Sequence, residues 1–69
     1  MVTYKSLKEE RPDPQVHKMI AAKTKVEFDG GYWTLLFVSM VPYPHYYGEI
    51  GEEIPIDAIE KWFDVTEQN

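Results

Sequence analysis

The feature that most constrains this chain is the tripeptide Asp29-Gly30-Gly31, which lies between two runs of residues that favour β-strands. Asp-Gly and Gly-Gly readily adopt the positive φ angles that tight hairpin turns need. The run that follows, Tyr32 to Val41, is apolar on both of its alternating sets of side chains, which is typical of a central strand covered on both sides. We therefore expect a central β-hairpin over about residues 24–41.

The stretch before the hairpin predicts a helix over about residues 14–23. Asp13 is a typical N-cap residue, and Pro14 suits the first helical position, where its missing N–H costs nothing. A narrow stripe at helical spacing then follows, formed by Val16, Met19, Ile20 and Lys23. Further upstream, residues 2–7 are rich in β-forming residues and predict a short edge strand.

The C-terminal part of the chain allows two interpretations. Asp57 followed by Glu60 resembles a capping box and predicts a short C-terminal helix. The alternative makes residues 57–60 one 3₁₀ turn and residues 61–65 a final strand, the order found at the end of an SH3-like barrel. We expect one domain, residues 1–69, with an α+β fold: a small antiparallel sheet of three or four strands, the N-terminal helix and the short C-terminal helix. An SH3-like small β-barrel is the alternative.

Composition excludes several classes of protein. The chain has no cysteine, so it forms neither disulfides nor thiolate metal sites. No segment reaches the roughly 18 apolar residues that a membrane span needs, and the N-terminus lacks the apolar core of a secretory signal. We therefore expect a cytoplasmic protein that does not bind a membrane.

The sequence offers no arrangement of residues that predicts catalysis. The two serines and two histidines stand without local partners that would make a nucleophile and its base. The Asp-Gly-Gly tripeptide is too short for a phosphate-binding loop, and the glutamates of residues 49–53 lack the spacing of a calcium loop. We expect no enzyme activity, no metal site and no cofactor.

Charge and aromatic residues point instead to a binding surface. Residues 1–25 carry six Lys or Arg against three Asp or Glu, whereas residues 26–69 carry one against nine. Tyrosines favour interfaces because they offer rigid area with a polar end, although some of these rings are expected to pack in the core. The predicted partner-binding residues are Tyr43, His45, Tyr46, Tyr47, Glu49, Glu52 and Glu53.

These residues predict a non-catalytic protein-binding module that binds a basic partner. One version is a small acidic inhibitor that presents carboxylates and tyrosines to a nucleic-acid-binding protein. A self-associating structural or regulatory domain, present as a homodimer, is the alternative. Nucleic-acid binding through the N-terminal basic cluster and the aromatics is weaker, because the aromatics lie in the acidic half of the chain.

The ending "EEIPIDAIEKWFDVTE" resembles the tails of small bacteriophage-encoded proteins. The resemblance covers roughly a fifth of the chain and rests on common residues. It implies a binder directed at host components, located in the host cytoplasm, and it implies no catalytic residue.

Overall fold

Six strands form one antiparallel sheet in the computed structural model, which describes residues 3–67. They are β1 (Lys5–Ser6), β2 (Met19–Thr24), β3 (Trp33–Ser39), β4 (His45–Tyr47), β5 (Glu53–Ile54) and β6 (Ile59–Asp64). Their order across the sheet is β1-β6-β2-β3-β4-β5. A single helical turn, α1 (Val26–Asp29), and two 3₁₀ turns, Ile56–Ala58 and Val65–Glu67, are the other elements. The edge strands β1 and β5 do not pair with each other, so the sheet is open.

The predicted helix over residues 14–23 is wrong, because its second half is strand β2. Ile20, Ala22 and Thr24 are buried, whereas the residues between them are only half-buried, so the segment has the period of a strand. β2 pairs with β3 on one side and with β6 on the other. The small Ala22 lies opposite Trp62 and leaves room for the indole. Pairing on both sides therefore outweighed the helix propensity of the segment.

The predicted short C-terminal helix is wrong as well. Ile56–Ala58 is a 3₁₀ turn, and β6 begins directly after it, so the turn-and-strand interpretation describes this segment within two residues. Asp57 caps no helix, because it lies inside this turn, which Pro55 precedes; its carboxylate instead accepts a hydrogen bond from Arg11 at 2.8 Å. The expected α+β fold with two helices is therefore replaced by a nearly all-β fold. The closed SH3-like barrel offered as the alternative is not found either, because the sheet is open.

The hairpin predicted over about residues 24–41 is right in its second strand, β3, but wrong in its first: residues 25–28 lie in the connection, and β2 (Met19–Thr24) is the strand that pairs with β3. β2 and β3 pair from Met19 opposite Phe37 to Lys23 opposite Trp33. The connection between them contains α1, and the Asp29 carboxylate accepts hydrogen bonds from the Thr24 hydroxyl and, at 3.3 Å, from the Gly31 N–H. Gly30 and Gly31 have φ angles of 95° and 74°, which an L side chain rarely adopts. The Asp-Gly-Gly tripeptide thus ends the loop rather than forming all of it.

The core lies on one side of the sheet, which we call the inner face. It consists of Ile20, Ala22, Leu36, Tyr46, Ile54, Ala58, Ile59 and Trp62. The segment of residues 7–18, here called the N-terminal cover, seals this face through two hydrogen bonds. The Trp62 indole N–H donates to the Glu10 carbonyl at 2.9 Å, and the Tyr46 hydroxyl donates to the His17 carbonyl at 2.8 Å. Within the described residues no buried side-chain nitrogen or oxygen lacks a hydrogen-bond partner.

The predicted N-terminal strand is present in shortened form. Lys5 and Ser6 pair with Trp62 and Lys61 of β6, so β1 is an edge strand as expected. Val2, the first residue of that prediction, lies outside the described residues. β1 adds a sixth strand to a sheet for which only three or four were expected.

Candidate protein-binding face

The side of the sheet opposite the core, which we call the outer face, carries large apolar side chains without a second layer over them. The register places Leu35 beside Ala21, Phe37 beside both Met19 and Tyr47, and Phe63 beside Ala21. These neighbours all alternate with the buried residues of the inner face. The outer face consists of Tyr4, Ser6, Met19, Ala21, Lys23, Trp33, Leu35, Phe37, Ser39, His45, Tyr47, Glu53, Lys61 and Phe63.

The outer face is open to solvent at its centre. Tyr4 is 51% exposed, Trp33 44% and Leu35 38%, whereas Leu36, the next residue along β3, is completely buried. Phe37 is half-buried. The prediction that this strand is covered on both sides is therefore wrong for the outer face. The strand is central, as expected, because it lies between β2 and β4.

Aromatic contacts join much of the outer face into two clusters. The Trp33 ring lies 6.1 Å from the Tyr4 ring and 6.0 Å from the Phe63 ring, measured between centroids. The Tyr47 ring lies 5.8 Å from that of Phe37 and 6.4 Å from that of His45. Leu35 lies between Trp33 and Phe37 on the same side of β3 and bridges the clusters. An apolar patch that continues across several strands is typical of an interaction surface.

Charged side chains lie at two opposite corners of the outer face. At the first corner the Lys61 ammonium lies 4.7 Å from the centre of the Tyr4 ring, and Lys23 pairs with Glu60 at 3.4 Å. At the second corner the Glu53 carboxylate accepts the Tyr43 hydroxyl at 2.8 and 3.1 Å. That hydrogen bond raises the pKa of Tyr43, because it stabilises the protonated phenol beside a negative charge. The face therefore has an apolar centre, a basic corner and an acidic corner.

Four of the predicted partner-binding residues meet at the acidic corner. Glu53, His45 and Tyr47 lie on the outer face, and Tyr43 joins them through its hydrogen bond to Glu53 and a ring contact of 5.1 Å with His45. His45 Nδ1 lies 2.7 Å from the Tyr43 carbonyl, which holds the loop against the strand. Four of the seven predicted residues therefore lie together at this corner.

The other three predicted residues lie elsewhere. Tyr46 is 1% exposed on the inner face, where burial raises the pKa of its phenol, so it is a packing residue. Glu49 and Glu52 belong to the turn between β4 and β5. Glu49 is exposed, and the Glu52 carboxylate accepts the Ile50 N–H at 3.3 Å. Only one of the three predicted glutamates therefore lies on the outer face.

The prediction missed the residues that make up the centre of the face. They are Tyr4, Trp33, Leu35, Phe37 and Phe63. The alternation along Tyr32 to Val41 did identify two apolar sets, but both were assigned to a covered strand. Counting the segments available to cover the sheet would have shown that one face stays open, because a chain of 69 residues has little material for a layer on each side of its sheet.

A shallow cavity of about 270 Å³ adjoins the acidic corner. Its charged lining comes from Arg11, Glu53 and Asp57. Arg11 holds Asp57 at 2.8 Å, and this hydrogen bond lowers the pKa of the Asp57 carboxyl. Across residues 3–67 no group of three His, Asp or Glu side chains is placed to hold a metal ion. None of the helical turns in that part of the chain is long or apolar enough to span a membrane.

Comparison with known proteins adds no assignment. No protein-family model, no curated protein and no solved structure matches the chain. The resemblance of the C-terminal tail to small bacteriophage proteins therefore stays a prediction.

Proposed function

We propose that the protein is a non-catalytic binding module whose outer face docks a partner protein. The observation that carries the proposal is the exposure of Trp33 and Leu35 at the centre of a sheet face that also holds Phe37, Phe63 and Tyr47. Exposed aromatic side chains at the centre of a patch are the usual anchors of protein interfaces. The charged corners resemble the polar rim of such an interface.

The charges of the outer face favour a protein over a nucleic acid. A sheet that displays aromatic rings is also suited to stacking bases, but each phosphate contact needs Lys or Arg. The outer face carries Lys23 and Lys61, and Lys23 is already paired with Glu60. The net charge of −5 opposes a phosphate backbone further.

The partner that best fits this face is apolar at its centre and basic opposite Glu53. This keeps the basic partner expected from the sequence, a class that includes nucleic-acid-binding proteins. The small acidic inhibitor that presents several carboxylates to its partner is less well supported. Glu52 is bonded within its own turn, and Glu53 is the one predicted glutamate on the face. The proposed partner therefore recognises an apolar surface and a single carboxylate.

A capture experiment with two matched variants tests this function. Leu35→Lys and Ile50→Lys each add a positive charge at an exposed apolar residue, but Ile50, which is 88% exposed, lies in the turn between β4 and β5. We expect the tagged wild type and Ile50→Lys to capture the same protein from a nuclease-treated lysate. That protein is either a second copy of this chain or another chain. We expect Leu35→Lys to capture none of it. Equal capture by all three folded proteins contradicts the proposal, as does capture that nuclease treatment abolishes.

A further inference from the structure

We infer that the outer face docks a second copy of this chain, so that two sheets pack face to face about a two-fold axis. The inference rests on the proposed function of the outer face and names its partner. It is carried by the way charges are distributed around the apolar centre.

The basic corner holds the Lys61 ammonium group, which no carboxylate of the described part of the chain neutralises. Lys61 Nζ lies over the Tyr4 ring, and none of the described carboxylates is within ion-pair distance of it. The acidic corner holds the Glu53 carboxylate, which is likewise without an ion pair in that part of the chain. Glu53 accepts the Tyr43 hydroxyl, and no cationic side chain in residues 3–67 pairs with it. Lys61 and Glu53 therefore each lack an ionic partner of opposite sign among the described residues.

The two corners are diagonally opposed across the apolar centre. Lys61 lies on β6 level with Lys23 and Trp33, whereas Glu53 lies on β5 level with Tyr47 and Phe37. Four strand spacings separate β6 from β5, which is about 19 Å at the usual spacing, and four residues along a strand add about 14 Å.

A two-fold axis that lies between the two faces, parallel to them, and crosses this diagonal at right angles at its midpoint exchanges the corners. Lys61 of one copy then faces Glu53 of the other, and the same contact occurs a second time, as a two-fold interface requires. The apolar centre of each copy faces that of its partner, so Trp33, Leu35 and Phe37 leave water together. A single small domain gains in this way the second layer that its own chain does not supply.

Sedimentation equilibrium of the wild type is the first test. We expect a dimer whose dissociation constant falls between about 10 and 500 µM, the weak range for a small interface. Leu35→Lys should sediment as a folded monomer, and Ile50→Lys should keep the wild-type dissociation constant. A wild type that remains monomeric throughout this range overturns the inference, and so does a Leu35→Lys dimer of unchanged affinity.

A charge exchange tests the proposed orientation. Lys61→Glu and Glu53→Lys each place like charges opposite one another at both corner contacts, which should raise the dissociation constant about tenfold or more. An equimolar mixture of the two variants restores opposite charges at both contacts of the mixed dimer. We expect the mixture, with one variant ¹⁵N-labelled, to form mixed dimers of near wild-type affinity in native mass spectrometry. A mixture no tighter than either variant alone overturns the orientation.

The two proposals fail in different ways. If the wild type is a monomer and Leu35→Lys still loses a different captured protein, the second copy is wrong and the proposed binding face stands. If Leu35→Lys changes neither the dissociation constant nor the captured proteins, both are wrong. Binding of a labelled single-stranded oligonucleotide that Leu35→Lys abolishes, with a monomeric wild type, would assign the face to nucleic acid and overturn the dimer.

Discussion

The inner and outer faces of this sheet are built from the same kinds of residue but differ in what covers them. Strand β3 supplies Leu36 to the inner face, where it is completely buried, and Leu35 to the outer face, where 38% of it is exposed. The N-terminal cover and the 3₁₀ turn Ile56–Ala58 lie over the first and leave the second open. Chain topology, rather than hydrophobicity, therefore decides which apolar side chains of this sheet are buried.

The two leucines provide the strongest test of this comparison. Leu36→Ala should lower the free energy of unfolding by about 2–5 kcal/mol, because it leaves a cavity in a sealed core. Leu35→Ala should lower it by less than about 1 kcal/mol, because its site is already hydrated. Urea denaturation followed by tryptophan fluorescence measures both, at a protein concentration low enough that association does not contribute. Equal losses for the two variants would show that the outer face is as well covered as the inner one.

The fold was predictable where local chemistry and pairing agree. The long apolar run does form a central strand, whereas Asp29, Gly30 and Gly31 were expected to form a tight turn and instead lie near the end of a longer connection that contains α1. Residues 14–23 were misjudged because Ile20 fits both the helical stripe with Val16, Met19 and Lys23 and the strand alternation with Ala22 and Thr24 over so short a segment. The choice between the two periods depended on β6, a strand some 40 residues away along the chain.

The candidate site was predictable in part for a similar reason. Tyr43, His45, Tyr47 and Glu53 are close in sequence, so their joint placement at the acidic corner follows from one loop and its strand. The centre of the outer face combines residues from β3 and β6 and from the region before β1, and no local pattern brings these together. Tyr46 is buried and Tyr47 only half-buried because the alternation of β4 directs them to opposite faces of the sheet.

These adjacent tyrosines give a second, smaller test of the two faces. Tyr46→Phe removes the hydroxyl that donates to the His17 carbonyl across the inner face and should cost about 1 kcal/mol of unfolding free energy. Tyr47→Phe changes the outer face and should alter stability by less than about 0.5 kcal/mol. Chemical denaturation of both variants alongside wild type measures the difference. A larger loss of unfolding free energy for Tyr47→Phe than for Tyr46→Phe would contradict the placement of Tyr46 on the inner face and Tyr47 on the outer face.

The smallest expected effect concerns the ion pair that joins the two segments sealing the inner face. Arg11 belongs to the N-terminal cover and Asp57 to the 3₁₀ turn, and the hydrogen bond between them lowers the pKa of Asp57 from its ordinary value of 3.8. A carboxyl with a lowered pKa in the folded state stabilises that state above the unfolded pKa, and this stabilisation is lost as the pH falls through the folded pKa.

Asp57→Asn should therefore lower the melting temperature slightly at pH 7 and have progressively less effect as the pH falls below about 4. The effect is small because both side chains are exposed, and added salt should reduce it further. Melting curves of wild type and variant between about pH 2.5 and 7, each at low and high salt, measure the difference. Glu49→Gln, a change of the same kind in the turn between β4 and β5, is the control. A difference for Asp57→Asn that does not change with pH would mean that the ion pair does not help to hold the cover over the inner face.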